Sequence, residues 1–235
     1  MTFSMKRVMT IMQKDYKDLS RNLYVSMTLF IPLIMAAIFG RLDSGTVDAQ
    51  YMIINMAFIM VATYIQSSLI AEEKEKNTLR GLMLSPASTF EIFCGKSLLT
   101  FISTAVIVFL SSMLIDYHPK NMLIVTAALF LSAIFYLGVG TWIGLLTKSV
   151  MEASVAIVPA ILIFTFGSLV IPFIEKYPIL GIVEYMPNFQ LIDLARQVEA
   201  GAGMVDVWPN MGIILVWAIA IHVLSVYVYK KSMMD

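Results

Sequence analysis

Six segments of the chain carry no aspartate, glutamate, lysine or arginine: Leu23–Gly40, Tyr51–Ala71, Ser97–Ile115, Asn121–Thr147, Ala153–Ile174 and Met211–Tyr229. Each comes near the roughly 20 apolar residues that an α-helix needs to cross a hydrocarbon core. An unpaired charge at the bilayer centre costs about 2.5–3.5 kcal/mol on insertion scales, so this partition is itself evidence for membrane spans. A soluble core helix would keep charges on its outer face. Composition agrees: 59% of the 235 residues are apolar, 14% are charged and the mean hydropathy is +0.83. A water-soluble chain this short has too much surface for so little charge. Formal net charge is zero, so no basic field points to nucleic acid.

Twelve of the sixteen basic residues fall in one set of loops: Lys6, Arg7, Lys14, Lys17, Arg21, Lys74, Lys76, Arg80, Lys96, Lys148, Lys230 and Lys231. Arg41, Lys120, Lys176 and Arg196 fall in the other. The positive-inside rule then puts both termini in the cytosol of a multi-pass protein of the cell membrane, consistent with six spans. Trp217, Tyr227, Tyr229, Lys230 and Lys231 are expected to anchor the cytosolic end of the last span. The first apolar run lacks a small-x-small cleavage site and is read as a retained helix.

Three pieces outside the bilayer are expected to be ordered within one domain, residues 1–235. Met5, Val8, Met9, Met12, Tyr16 and Leu19 recur at helical spacing opposite Lys6, Arg7, Lys14, Lys17 and Arg21, which predicts an interfacial helix over 5–21. A cytosolic loop occupies 72–96. An outer connection, 175–210, is too apolar for a solvated loop; Pro187-Asn188 can start a helix in it and Gly201 can close it, as a re-entrant or capping element. The fold class is therefore all-α and integral to the membrane.

The loop is the most patterned stretch: Glu72-Glu73-Lys74-Glu75-Lys76-Asn77-Thr78-Leu79-Arg80-Gly81-Leu82-Met83-Leu84-Ser85-Pro86. Leu79, Leu82 and Met83 share a face with nothing in the loop to cover it. Ser85-Pro86 stops that helix and Ser88-x-x-Glu91 forms a capping box for the next. The run Glu72–Lys96 closely resembles the loop of ABC-2-type exporter permeases: an acidic-basic cluster, Gly-Thr-Leu, a leucine, Ser/Thr-Pro, Glu and Gly-Lys. Asn77 stands where the family usually has glycine, and asparagine tolerates unusual backbone better than most residues.

The resemblance implies a mechanism. The segment would be a coupling helix docked on a separate ATP-binding subunit, with Glu72, Glu73, Glu75, Thr78, Leu79, Arg80 and Leu82 as the contact surface. ATP and Mg would be bound by that partner and no cofactor by this chain. The permease would work as a pair, with a second copy or a sister permease, among membrane lipid. A pathway without fixed charge suits a hydrophobic or amphipathic cargo such as a peptide, lipid-like molecule or drug; bacterial exporters of amphipathic antimicrobial peptides are the similar subgroup.

Other motifs carry less. Gly95-Lys96-Ser97 looks like the end of a phosphate loop, but Phe90 stands where a further glycine is needed. Asn55, Thr63 and Gln66 on the second span, and Ser97, Thr100, Thr104 and Ser111 on the third, either line a weakly polar pathway or hydrogen-bond across helices. Gly140-x-x-x-Gly144 permits close packing in the fourth span, and Pro159 and Pro172 can kink the fifth. His222 is the one imidazole within a span, and the single Cys94 excludes an internal disulfide. An ion-driven secondary transporter would carry midplane charges and related halves. An intramembrane enzyme would need partnered acid-base groups, a metal cluster or an activated nucleophile. Neither pattern is present, so the chain is read as a non-catalytic subunit with no metal site.

Overall fold

The computed structural model describes residues 3–42, 45–78, 81, 85–167 and 177–232. Helix α1, Met5–Arg21, ends at Asn22, whose side chain accepts the Val25 N–H and starts α2, Leu23–Met27. After a short break, α3 runs Phe30–Arg41. Next come α4, Val47–Ala57, a π-helical turn, Phe58–Thr63, and α5, Tyr64–Glu75, in one continuous rod. The longer helices α6, Thr89–Leu114, and α7, Met122–Leu146, follow. Helices α8, Val150–Ala156, and α9, Val158–Phe166, are separated at Ile157, with Pro159 in the first turn of α9. A 3-10 segment, Pro178–Tyr185, leads to α10, Pro187–Glu199, and α11, Met204–Ser232. No strand occurs among the described residues.

Five helices are long and apolar enough to cross a membrane: Leu23–Arg41, Val47–Glu75, Phe90–Leu114, Met122–Leu146 and Met204–Lys230. The fifth expected span appears as a shorter apolar helix, Val150–Phe166. Its continuation over 168–174, with Pro172, lies outside the described residues, whereas Pro159 does break the helix. The structure thus supports a multi-pass helical membrane protein with five such helices among the described residues.

The second span is the axis of the bundle, and nearly all of it is buried. Helix α7 packs on it through two glycines. A Cβ on Gly140 would stand 2.5 Å from the Thr63 carbonyl oxygen, and one on Gly144 would stand 2.7 Å from that of Ser67. Asn55, Thr63 and Gln66 all lie in this contact and are buried. Tyr136 donates to the Asn55 side chain at 3.1 Å, Thr63 donates to the Tyr136 carbonyl at 3.0 Å, and Gln66 donates to Thr141 at 3.1 Å. In this conformation the three expected pathway residues are interhelical hydrogen-bonders. The reason is local: the glycine approach leaves no room for a channel between these helices. On α6, Thr100 and Thr104 are buried and donate back to Lys96 and Thr100 carbonyls.

At the other end, α10 packs its apolar face on α4, α7 and α11. Asn188 donates to the carbonyls of Ile163 and Phe164 near the end of α9. Gly201, at φ +98°, follows the helix end as its sequence position predicts. Trp217 donates to the Tyr185 carbonyl, 2.9 Å away, so it sits beside the outer segment rather than with Tyr227 and Tyr229. Ten residues of helix, about 15 Å, separate it from Tyr227.

Candidate functional site

On the side that carries most of the basic residues, α1 lies across the start of α6 and reaches the end of α5. Gly95 makes this possible: a Cβ there would stand 2.8 Å from the Ile11 side chain and 3.0 Å from the Val8 carbonyl oxygen. The buried face of α1 is Val8, Ile11, Asp15 and Leu19. It is rotated from the expected stripe, so Met5, Met9 and Tyr16 stay exposed beside it. Packing on a neighbouring helix claimed one edge of the apolar stripe and left the other open.

Asp15 enters that contact with its charge. Lys96 lies 3.4 Å from Asp15 and 3.0 Å from Glu73, and the three side chains are 2%, 1% and 4% exposed. Lys14 closes the group against Glu73, and its ammonium also lies 3.2 Å from Asp15. Lys96 and Lys14 thus face Asp15 and Glu73 where three helices meet, and Lys14 also reaches Asp18, 3.3 Å away. Burial disfavours the charged carboxyl of Asp15 more than Lys96 and Lys14 favour it, so its pKa is raised above the ordinary value. Burial alone would lower the Lys14 ammonium, but Glu73 and Asp15 hold its pKa above the ordinary lysine value.

A second link ties the N-terminus to the same helix. Arg7 grips Glu91 through two nitrogens, at 2.7 and 3.1 Å. Glu91 also completes the expected capping box, accepting the Ser88 N–H at 2.7 Å while the Ser88 hydroxyl accepts the Glu91 N–H at 3.3 Å. The Ser4 N–H adds a further donor at 2.5 Å.

The expected coupling residues divide on this frame. Glu73, expected on an exposed contact surface, is turned inward by Lys96 and Lys14 and is 3% exposed. The cause is that the α5 rod continues past the apolar segment and carries Glu73 against α1. Glu72 is partly exposed and pairs with Lys76. Glu75 is exposed and accepts the Val150 N–H at 3.0 Å, joining the loop to the start of α8. Thr78 is exposed, its hydroxyl on the Glu73 carbonyl. Leu79, Arg80 and Leu82 lie outside the described residues. Asn77 adopts φ +56° just after α5. Its N–H bonds the Lys74 carbonyl, ending the helix in the left-handed way that glycine usually provides.

Lys96 and Asp15 are the residues that sequence reasoning missed. Their signal was available: Asp15 stands four residues from both Ile11 and Leu19, inside the buried register. The Gly95-Lys96-Ser97 triplet also finds its use here. Gly95 admits α1, Lys96 enters the charge group and Ser97 accepts from Gln66 at 3.3 Å.

His222 bonds the Ala218 carbonyl of its own helix, and His118 pairs with Asp116 on the exposed surface. No group of metal-ligating side chains occurs among the described residues. The arrangement is suited to mechanics: the described ends of the 72–96 segment are joined to each other and to α1 by buried ion pairs. A family model described as ABC-2 family transporter protein matches residues 9–227. A search of curated proteins finds no match. That match runs from α1 to the last turns of α11 and takes in every element just described, so the chain belongs to the ABC-2 transporter family, as a multi-pass transmembrane subunit of an ABC transporter.

Proposed function

We propose that this chain is the permease subunit of an ABC exporter that moves a hydrophobic or amphipathic cargo out of the cytosol. Six spans with both termini cytosolic put the 72–96 hairpin on the inner side. A separate ATP-binding subunit binds ATP and Mg and pushes on that hairpin. A second permease, identical or sister, completes the pathway in the plasma membrane.

The observation that carries this reading is the clamp at Lys96. A surface loop transmits force into a bundle only if it is rigidly joined to the rods it must move. Here Glu73 at the end of the second span and Lys96 at the start of the third meet each other and α1. The absence of aspartate, glutamate, lysine and arginine from the six segments supports an apolar rather than ionic cargo.

The test uses the chain in nanodiscs with co-expressed ATP-binding subunit. Thr78→Cys, placed in the Cys94→Ser background, should form crosslinks to that subunit, whereas Val205→Cys at the opposite end of the bundle should not. ATP-dependent release of a labelled amphipathic peptide into the opposite compartment should accompany hydrolysis. Crosslinking at Val205 and none at Thr78 would overturn the orientation and the coupling role together.

A further inference from the structure

Two apolar cavities line the flank of α6. One, about 530 Å³, lies toward the far end, between α6 and α7, with Phe101, Val108 and Leu129 in its walls. The other, about 730 Å³, lies near the basic side between α6, α7 and α11. Phe90, Phe93, Leu137, Val226 and Tyr229 supply most of its surface, and Phe93 packs edge-on against Tyr229 at 4.9 Å. Its volume falls in the ordinary range for ligand sites, roughly 300–1,000 Å³.

The hydroxyls of Ser97, Thr141 and Ser225 in this second cavity are already engaged within the protein, as is His222 Nδ1 with the Ala218 carbonyl. Ser97 and Thr141 accept from Gln66, and Ser225 donates to the Gly138 and Ile221 carbonyls. Its walls therefore ask for an apolar occupant. Lys230 is the one lysine or arginine among the residues lining either cavity, and it is exposed at the basic end. Phe90 and Val226 are exposed at the rim, so the cavity opens toward whatever surrounds the spans. An occupant with a long apolar chain and a negative head at one end matches this layout. Anionic phospholipid is that chemistry, and it is attracted to basic residues beside a span.

We propose that this cavity binds an acyl chain of an anionic phospholipid whose headgroup pairs with Lys230. The lipid fills the gap between α6 and α11 and steadies the half of the bundle that carries most of the basic residues.

Cys94, the chain's single cysteine, lines the cavity and reports occupancy directly. Maleimide labelling is followed in phosphatidylcholine nanodiscs with and without phosphatidylglycerol. An anionic surface also lowers local pH and slows any thiol, so exposed Val155→Cys in the Cys94→Ser chain supplies the correction. After correction, phosphatidylglycerol should slow Cys94 about fivefold, the factor given by roughly 1 kcal/mol of lysine–lipid attraction. Lys230→Gln should erase the difference. Equal corrected rates in the two lipids, or slowing that survives Lys230→Gln, would overturn the proposal. So would protection that appears in discs holding two chains regardless of lipid, which would mean that a second copy covers the cavity. Both leaflets of a nanodisc carry the lipid, so the outcome is independent of the orientation proposed above.

Discussion

The Lys96 ammonium sits between the carboxylates of Asp15 and Glu73, 3.4 and 3.0 Å away, with all three side chains nearly excluded from solvent. A group of this kind is costly to break and not necessarily costly to replace. Removing one partner of a buried ion pair destabilises by about 3–5 kcal/mol, while apolar replacement of the whole set is often neutral or favourable. Lys96→Met should therefore lower stability strongly in detergent unfolding. Adding Asp15→Leu and Glu73→Met should restore most of it, leaving Lys14, 40% exposed, to Asp18 and solvent. A triple variant weaker than the single would mean that the charges themselves hold α1 in place.

The glycines of α7 make a sharper steric prediction. Gly144→Ala drives a methyl to 2.7 Å from the Ser67 carbonyl oxygen, and backbone has little freedom to retreat. The cost should be about 1–3 kcal/mol, as for other overpacked contacts. Gly212→Ala in α11 meets nothing within 4 Å and should be neutral or stabilising by up to about 1 kcal/mol. Unfolding midpoints of the two variants in the same detergent decide the matter. Equal effects would contradict the close approach of α7 to the second span.

Asn77 offers a backbone test. Its φ of +56° is a region that β-branched residues avoid at a cost of about 1–2 kcal/mol. Asn77→Gly should preserve stability and the loop's geometry, whereas Asn77→Val should loosen the end of α5. Faster proteolysis in the 72–96 loop of the valine variant alone is the expected result. Indistinguishable cleavage patterns for the two would show that the left-handed turn is not retained.

What the sequence revealed and concealed follows from the solvent each part meets. A bilayer forbids bare charge, so the apolar segments and the basic asymmetry of the loops were legible without any partner information. The capping box at Ser88 and Glu91 and the helix between Pro187 and Gly201 were equally local, and their boundaries emerged correctly. Asp15 was not legible because an acidic residue on a short amphipathic helix ordinarily faces water. Its burial depends on Lys96, eighty-one positions away, and on Gly95 letting α1 approach. The inward turn of Glu73 was hidden for the same reason: nothing in the loop's own pattern tells which glutamate turns inward. Asn55, Thr63 and Gln66 left pathway and helix contact equally open until Tyr136 and Thr141 supplied partners.

Acidity should act on Asp15 in a direction opposite to that of an ordinary bridged carboxylate. Its folded pKa is raised, so the folded state takes up this proton before the unfolded one. The stability linked to that proton is fully present below the ordinary carboxyl value of 3.8 and is lost as pH rises through the raised folded pKa. The stability of the natural chain relative to Asp15→Asn should therefore grow as pH falls from neutrality toward 4. A constant difference over that range would show that Asp15 titrates alike in both states.

Glu73 and Glu75, two residues apart, should fail in different ways. Glu73→Lys places a third cation beside Lys14 and Lys96 in a site with almost no solvent, and should unfold the clamp at a cost of about 3–5 kcal/mol. Glu75→Lys changes an exposed side chain and loses one bond to the Val150 N–H, so its stability should fall by about 1 kcal/mol. In the complex with its ATP-binding subunit, the Glu75 variant should remain folded while its ATP hydrolysis no longer responds to cargo. The Glu73 variant should lose both together. Unfolding curves run beside cargo-stimulated hydrolysis separate the two outcomes. Full cargo response in the Glu75 variant would remove Glu75 from the docking surface and leave that surface with Glu72 as its described acidic residue.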